Sequence, residues 1–219
     1  MNYSFDLFGD ALVSYINGNR NKFYFEDKKG KKYEQSISSY IDKKRSFTKL
    51  ERKIIFLSHG KILDIGCGTG SFISALMKRG KVLGIDISSN MIKICKSRGI
   101  NNVKIKDIFG FKSKNKFDTI VLLDENIGLA GTVKNTKKLL KKLSSLLSSK
   151  GQILANVEEV AGNYYIWEAR ALWNGKYGPW FKWIKFNSSF LIKLCQKQGL
   201  KAEVVSKDKK RYIIKIFHA

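Results

Sequence analysis

The sequence predicts an α/β fold: a doubly wound, mostly parallel seven-stranded sheet with an N-terminal helical and hairpin extension and an aromatic-rich cap. Three observations carry that prediction. Between residues 61 and 157, short apolar runs alternate with stretches of helical periodicity, the pattern of a parallel sheet with helices on both faces. The first run ends in an acid and turns through alternating glycines, Asp64-Ile65-Gly66-Cys67-Gly68-Thr69-Gly70, into a helix. Two strand-like runs at 202–206 and 211–217, joined by Lys207-Asp208-Lys209-Lys210, read as an antiparallel pair closing the sheet.

Each element has its own signal. Apolar residues at helical spacing (Phe5, Phe8, Leu12, Tyr15, Ile16) predict a helix over 4–17 with Gly18 as its stop. Residues 22–26 and 32–35 flank a Lys-Lys-Gly turn and predict a hairpin. Thr48-Lys49-Leu50-Glu51 has the form of a capping box, opening a helix that runs to about 58. Then come strand 61–65, helix 69–79, strand 82–86, helix 89–98, strands 102–106 and 117–123, helix 132–147 and strand 151–157. Residues 163–186 break the rhythm. They hold Tyr164, Tyr165, Trp167, Trp173, Tyr177, Trp180, Phe181, Trp183 and Phe186, and the only proline, Pro179. A helix over 188–197 precedes the last two strands.

Composition bounds the function classes. A hydrophobic share of 43% excludes a disordered chain. No apolar run reaches the length of a membrane span, and no signal-peptide pattern opens the chain. Cys67, Cys95 and Cys195 show no metal-ligand spacing and read as reduced thiols, so a cytoplasmic location and no metal are expected. The formal charge is +24, but 35 of the 42 cations are lysines spread along the chain. Arginine suits bidentate phosphate and base recognition better. Diffuse lysine implies weak, nonspecific nucleic-acid binding. His59 and His218 are isolated, and a lone histidine is more often structural or exposed than a base. Nothing in the sequence fixes the oligomeric state.

The glycine turn carries the chemistry. Glycine allows a tight backbone turn and the close approach of a ligand. The dinucleotide fingerprint would need a glycine where Ser71 stands. A phosphate site would also not place Asp64 beside the helix N-terminus; an acid there suits a ligand with a cationic end. Asp86 closes the next strand about twenty residues on, where an acid can accept ribose hydroxyls. With these residues in place, the sequence resembles the class I S-adenosylmethionine-dependent methyltransferases over roughly 61–160. The resemblance implies that Gly66, Cys67, Gly68 and Gly70 bend under the methionine part and ribose of S-adenosyl-L-methionine, with Asp64 holding the methionine end. It also implies that Asp86 and Ile87 meet the ribose side, Met91 lies against the adenine, and Asp107 and Ile108 recognise its edge.

The resemblance places the acceptor at the end of the fourth strand, where Asp124, Glu125 and Asn126 are candidates to orient an amine or hydroxyl. Tyr15 is a candidate to close over the transferred methyl. Glu158 and Glu159 end the fifth strand and are further candidates. The chain lacks the Asn-Pro-Pro-Tyr or Asp-Pro-Pro-Tyr pattern of amino-methylating nucleic-acid enzymes. The expectation is one domain over 1–219. It comprises an extension and lid over 1–58, a cofactor core over 61–160, an aromatic cap over 161–187, and a terminal helix and strands over 188–219. The expected reaction is methyl transfer to an O or N atom of a small-molecule acceptor. An RNA or protein methyltransferase and a noncatalytic S-adenosylmethionine-binding protein are the alternatives.

Overall fold

Local sequence sets the first elements of the computed structural model, which describes residues 6–41 and 46–219. Helix α1 (Asp6–Ile16) stops before Gly18, whose φ of +95° leaves the helix; residues 4 and 5 of the expected helix lie outside the described residues. Strands β1 (Phe23–Asp27) and β2 (Lys32–Gln35) form the expected hairpin. Its turn is fixed by the Asp27 carboxylate, which accepts the N–H groups of Lys29 and Lys31 at 2.9 and 3.0 Å. A single helical turn, α2 (Ser38–Ile41), had no sequence signal. Helix α3 (Lys49–Leu57) begins with the full capping box: Glu51 N–H donates to Thr48 Oγ1, and Thr48 N–H donates to Glu51 Oε2 at 2.7 Å.

The α/β core follows in chain order: β3 (Gly60–Ile65), α4 (Ile73–Met77), β4 (Gly80–Asp86), α5 (Ser89–Ser97), β5 (Val103–Ile105) and β6 (Phe117–Leu122). A 3-10 turn (Asn126–Ala130), helix α6 (Val133–Leu146) and strand β7 (Leu147–Glu158) complete it. Helix α4 is shorter than the expected 69–79. Gly68 and Gly70 hold φ values of +55° and +82°, so the chain is still turning where the helix was expected to begin.

Next come β8 (Tyr164–Trp173), β9 (Lys176–Tyr177), β10 (Phe181–Phe186), α7 (Ser188–Gln196), β11 (Leu200–Asp208) and β12 (Arg211–His218). The main sheet has seven strands in the order β11-β12-β7-β6-β3-β4-β5. Strands β5, β4, β3, β6 and β7 are mutually parallel, and β12 runs antiparallel between β7 and β11.

The main sheet is wound on both faces. Leu63, Ile65, Ile120 and Ile153 pack with Leu139, Leu140 and Leu143 of α6 and Leu191 and Leu194 of α7. Their strand neighbours Ile62, Val121 and Leu154 pack with Leu50 and Ile54 of α3, Ile73 and Leu76 of α4, and Ile92 of α5. Adjacent residues therefore serve opposite layers, the reason these strands read as unbroken apolar runs.

The aromatic segment, expected as a cap, is part of a second sheet. The order is β10-β8-β1-β2, antiparallel throughout, with β9 folded back on β8. Strand β8 pairs with the N-terminal hairpin, Tyr24 opposite Leu172 and Glu26 opposite Arg170. Arg170 binds the nearly buried Glu26 carboxylate through Nε at 2.7 Å and Nη2 at 2.6 Å. Phe25, Trp167, Phe181 and Tyr33 meet edge to face with ring centroids 5.6–6.0 Å apart, a favoured aromatic geometry.

Candidate functional site

Parallel strands deliver their last residues to one edge, and here that edge gathers the acids of a very basic chain. Asp64 leaves β3, Asp86 ends β4, Asp107 follows β5, Asp124 and Glu125 follow β6, and Glu158 ends β7. The two histidines are at the opposite edge: His59 precedes β3, and His218 ends the antiparallel strand β12.

The glycine turn is built against β4. The Ile85 carbonyl accepts the N–H groups of Gly66 and Cys67 at 2.8 and 3.1 Å. Gly68 N–H donates to Asp86 Oδ2 at 2.9 Å, and Ser88 N–H donates to Asp86 Oδ1 at 2.9 Å. Burial raises the Asp86 carboxyl above its ordinary value, and the surrounding amides of Ser88, Gly68 and Ile87 oppose that rise. Asn126 Nδ2 donates to the carbonyls of Ile65 at 2.9 Å and Gly66 at 3.0 Å. Gly66 has φ +71°, and a Cβ there would come within 2.5 Å of that amide. Asn126 thus clamps the turn. Beneath it lie the buried thiols of Cys67 and Cys95, and Cys95 Sγ donates to the Gly68 carbonyl at 3.2 Å. The Met91 sulfur lies 3.8 Å from where a Gly68 side chain would begin.

Asp64 is 1% exposed, and its Oδ2 meets no hydrogen-bond donor among the described residues. Burial, with Asp124 and Asp86 adding to it, pushes its carboxyl up to about 8. A buried acceptor without a donor is costly, and a cationic donor relieves both the missing bond and the raised pKa. The amino group of a bound amino-acid moiety has that chemistry. Two further features suit a nucleoside linked to such a moiety: glycines without side chains at 66 and 68, and the acid of Asp86 one strand over.

On the far side of the turn, Asp124 and Glu125 occupy left-handed backbone at φ +51° and +60°, a strained conformation that persists where structure enforces it. Glu125 N–H donates to Asn156 Oδ1 at 3.3 Å. Lys185, from β10, reaches Glu158 at 2.7 Å and Glu125 at 3.6 Å. Burial pushes the Glu125 carboxyl up against the pull of Lys185, while the hydrogen bond from Lys185 holds Glu158 down. Beside them the Trp183 indole lies flush on Gly128, where a Cβ would meet Nε1 at 2.2 Å. The second sheet therefore docks on the ends of β6 and β7 through Trp183 and Lys185.

A family model described as a methyltransferase domain matches residues 57–216. The chain belongs to the class I S-adenosylmethionine-dependent methyltransferases. It is similar to an S-adenosylmethionine-dependent methyltransferase from Bacteroides fragilis, solved with S-adenosyl-L-homocysteine. The TM-score is 0.88 at 22% identity, covering 100% of this chain and 97% of that one. It is 30% identical over 126 residues to an uncharacterized methyltransferase of Schizosaccharomyces pombe, covering 52% of this chain and 48% of the relative. It is 29% identical over 106 residues to the ubiquinone/menaquinone biosynthesis C-methyltransferase of Wigglesworthia glossinidia brevipalpis, covering 43% of this chain and 41% of the relative. The matches span less than half the length of these two curated relatives. The cofactor of the family is S-adenosyl-L-methionine, and the orphaned Asp64 oxygen and open glycine turn fit it.

Within this methyltransferase the sequence-predicted residues separate into three groups. Asp64, Gly66, Cys67, Gly68, Gly70, Asp86, Ile87 and Met91 converge around the turn. Asp107 and Ile108 stand at the end of β5; the Asp107 carboxylate accepts Phe109 N–H at 2.9 Å, and the Ile108 side chain is buried. Glu125 stands beside Lys185, Asp124 is close enough to Asp64 to help raise its carboxyl, and Asn126 is committed to the turn.

Tyr15 is half-buried near the end of α1, packed with the cluster of Leu12, Phe23 and Ile94, its ring under Arg20 at 4.1 Å. Glu159 is spent on the start of α7, accepting from Asn187 Nδ2 and from Ser188 N–H at 3.2 Å. Sequence reasoning missed Lys185, although Phe181, Trp183 and Lys185 alternate as one strand face. It also missed Asp6, which accepts the hydroxyls of Ser88 and Ser89 at 2.9 and 3.1 Å and ties α1 over the start of α5. Among the described residues no group of three His, Cys, Asp or Glu could hold a metal ion, and no helix is long and apolar enough to cross a membrane.

Proposed function

We propose that this methyltransferase moves a methyl group to an O or N atom of a small-molecule acceptor, enclosed between the carboxyl edge of the main sheet and the second sheet. The carrying observation is the pair of Glu125 and Glu158 at the ends of β6 and β7, both reached by Lys185 of β10, with Asp124 next to Glu125 in the chain. Acids there suit an acceptor nitrogen or hydroxyl that must be oriented and relieved of a proton. The relative named as a C-methyltransferase shows that carbon acceptors occur among similar proteins.

In this reading Asp64 holds the amino end of the cofactor and Asp86 accepts from its ribose. Ile87 meets the ribose side and Met91 lies against the adenine, with Asp107 and Ile108 at its rim. S-adenosyl-L-methionine supplies an already activated methyl, so the protein's work is alignment, an effect that can reach about 7–11 kcal/mol. Asn126 contributes by fixing the turn. Glu125, whose carboxyl is raised, is the group placed to take a proton as the acceptor is methylated. The single domain over 1–219, with the extension and the aromatic segment as its cap, is part of the same proposal.

The test is labelled-methyl transfer from S-adenosyl-L-methionine into cell extract, fractionated into small molecules, RNA and protein. Label should enter the small-molecule fraction and fall sharply with Glu125→Gln. Label confined to RNA or protein would overturn the reading. Tight cofactor binding with no label anywhere would favour a noncatalytic binding protein.

A further inference from the structure

Helix α6 carries five lysines, Lys134, Lys137, Lys138, Lys141 and Lys142, and no acid. Its inward stripe of Thr136, Leu139, Leu140, Leu143 and Leu146 is buried, so the cations are displayed along the other side. Lys134–Lys138, Lys137–Lys141 and Lys138–Lys142 are like charges one turn apart, an arrangement that destabilises a helix. Among the described residues none of the five makes an ion pair. An open groove of about 560 Å³ follows this face, lined by Phe109, Asn135, Lys138, Lys141, Lys142 and Ser145, from the first turn of α6 to its last. Phe109 is 41% exposed. The loop that bears it continues through Lys112, Lys114 and Lys116 with no acid before Asp118.

We propose that this groove is a docking surface for single-stranded nucleic acid, with backbone phosphates along the lysine row and a base against Phe109. A cationic groove with an accessible aromatic ring is the combination that holds single strands without sequence preference. Lysine is a point charge that follows a phosphate backbone, whereas base readout favours arginine; the groove lining contains no arginine. In a duplex the bases are stacked on one another and leave no face for Phe109. A lipid surface is flat and does not follow a groove, and an acidic peptide, unlike a single strand, does not present an aromatic ring beside every charge. The groove lining shares no residue with Asp124, Glu125 and Glu158, so its test does not rest on the acceptor reading.

The test uses the full chain and a fluorescein-labelled single-stranded RNA of mixed sequence, about 15 nucleotides long, within the range one such groove tracks. Anisotropy should show binding that weakens steeply with salt. The triple variant K138E/K141E/K142E should bind roughly tenfold more weakly or worse, and Phe109→Ala roughly fivefold more weakly. The control K207E/K209E/K210E, in the β11–β12 turn, makes the same change in formal charge and should cost less than about twofold. Calorimetry with S-adenosyl-L-homocysteine shows whether each variant is folded. If the groove triple fails it, Lys138→Gln and Lys141→Gln are read singly, each weakening RNA binding roughly twofold to threefold. Equal losses from the two triples would reduce the effect to diffuse charge and overturn the proposal. So would unchanged binding with Phe109→Ala, tighter binding to phosphatidylglycerol vesicles than to RNA, or displacement by polyglutamate as readily as by unlabelled RNA.

Discussion

The two sheets are built on opposite principles. The cofactor half of the main sheet is assembled from neighbours in sequence: β3, β4 and β5 follow one another and lie side by side, between residues 60 and 105. The second sheet joins a hairpin near the start to strands 144 residues away, as the pair of Glu26 and Arg170 shows. The first is held by apolar layers on both faces, the second by aromatic edges, one nearly buried ion pair and half-exposed rings such as Tyr165 and Tyr177. In the proposed reading the cofactor thus rests on the locally built part, and the acceptor faces the part built from distant segments.

Substitutions can break this division, beginning with the largest effect. Gly66→Val should abolish measurable S-adenosyl-L-homocysteine binding by calorimetry and cost about 3 kcal/mol or more in urea unfolding. It places a branched residue at φ +71° against Asn126. Asp86→Ala should lose about 2 kcal/mol of cofactor affinity with little change in fold; unchanged affinity, or tight binding of NAD, would remove the ribose role. Arg170→Ala leaves the nearly buried Glu26 unpaired and should cost about 1–2 kcal/mol. Hydrogen exchange should show that loss concentrated in β1 and β8, with cofactor affinity intact. If affinity falls equally, the two sheets are not separable.

Asp64 sharpens the comparison through pH. Its folded-state carboxyl lies at about 8, well above the ordinary 3.8. Between those values the folded state holds a proton that the unfolded chain releases, so stability falls as pH rises from about 4 through 8. That slope should become clearly shallower in unliganded Asp64→Asn, measured by thermal melts, the remainder belonging to the raised carboxyls of Asp86 and Glu125. Cofactor affinity should move the other way, rising by up to roughly tenfold per pH unit toward pH 8, because the ammonium pairs with the ionised form. The smallest effect belongs to the rim. Trp180, beneath Lys28 at 3.8 Å, should cost only about 0.5–1 kcal/mol when replaced by alanine, and turnover should change more than cofactor affinity.

The same division explains what the sequence disclosed. Asp64, Gly66, Gly68, Gly70 and Asp86 were legible because each is tied to a local strand end or turn. The capping box at Thr48 and the hairpin at 23–35 were legible for the same reason. Strands β8 and β10 were not recognised, because their aromatic density drew the reading toward an irregular cap and their partner lies far away in sequence. The turn-clamping role of Asn126 and the helix-capping role of Glu159 were also hidden. Each depends on which backbone groups a distant segment leaves in reach, and residue type alone does not encode that.

The pairing of β1 with β8 also has a consequence for the order of events in folding. Closing a loop of that length is entropically costly and slow. On that ground the main sheet is expected to be compact before residues 23–35 and 164–186 find each other. The second sheet should therefore be the last region to form and the first to open, with amide protons in β1 and β2 exchanging well before those of β3 and β6. If the second sheet encloses the acceptor as proposed, an enclosure assembled last is also the one expected to open and admit it while the cofactor stays bound beneath.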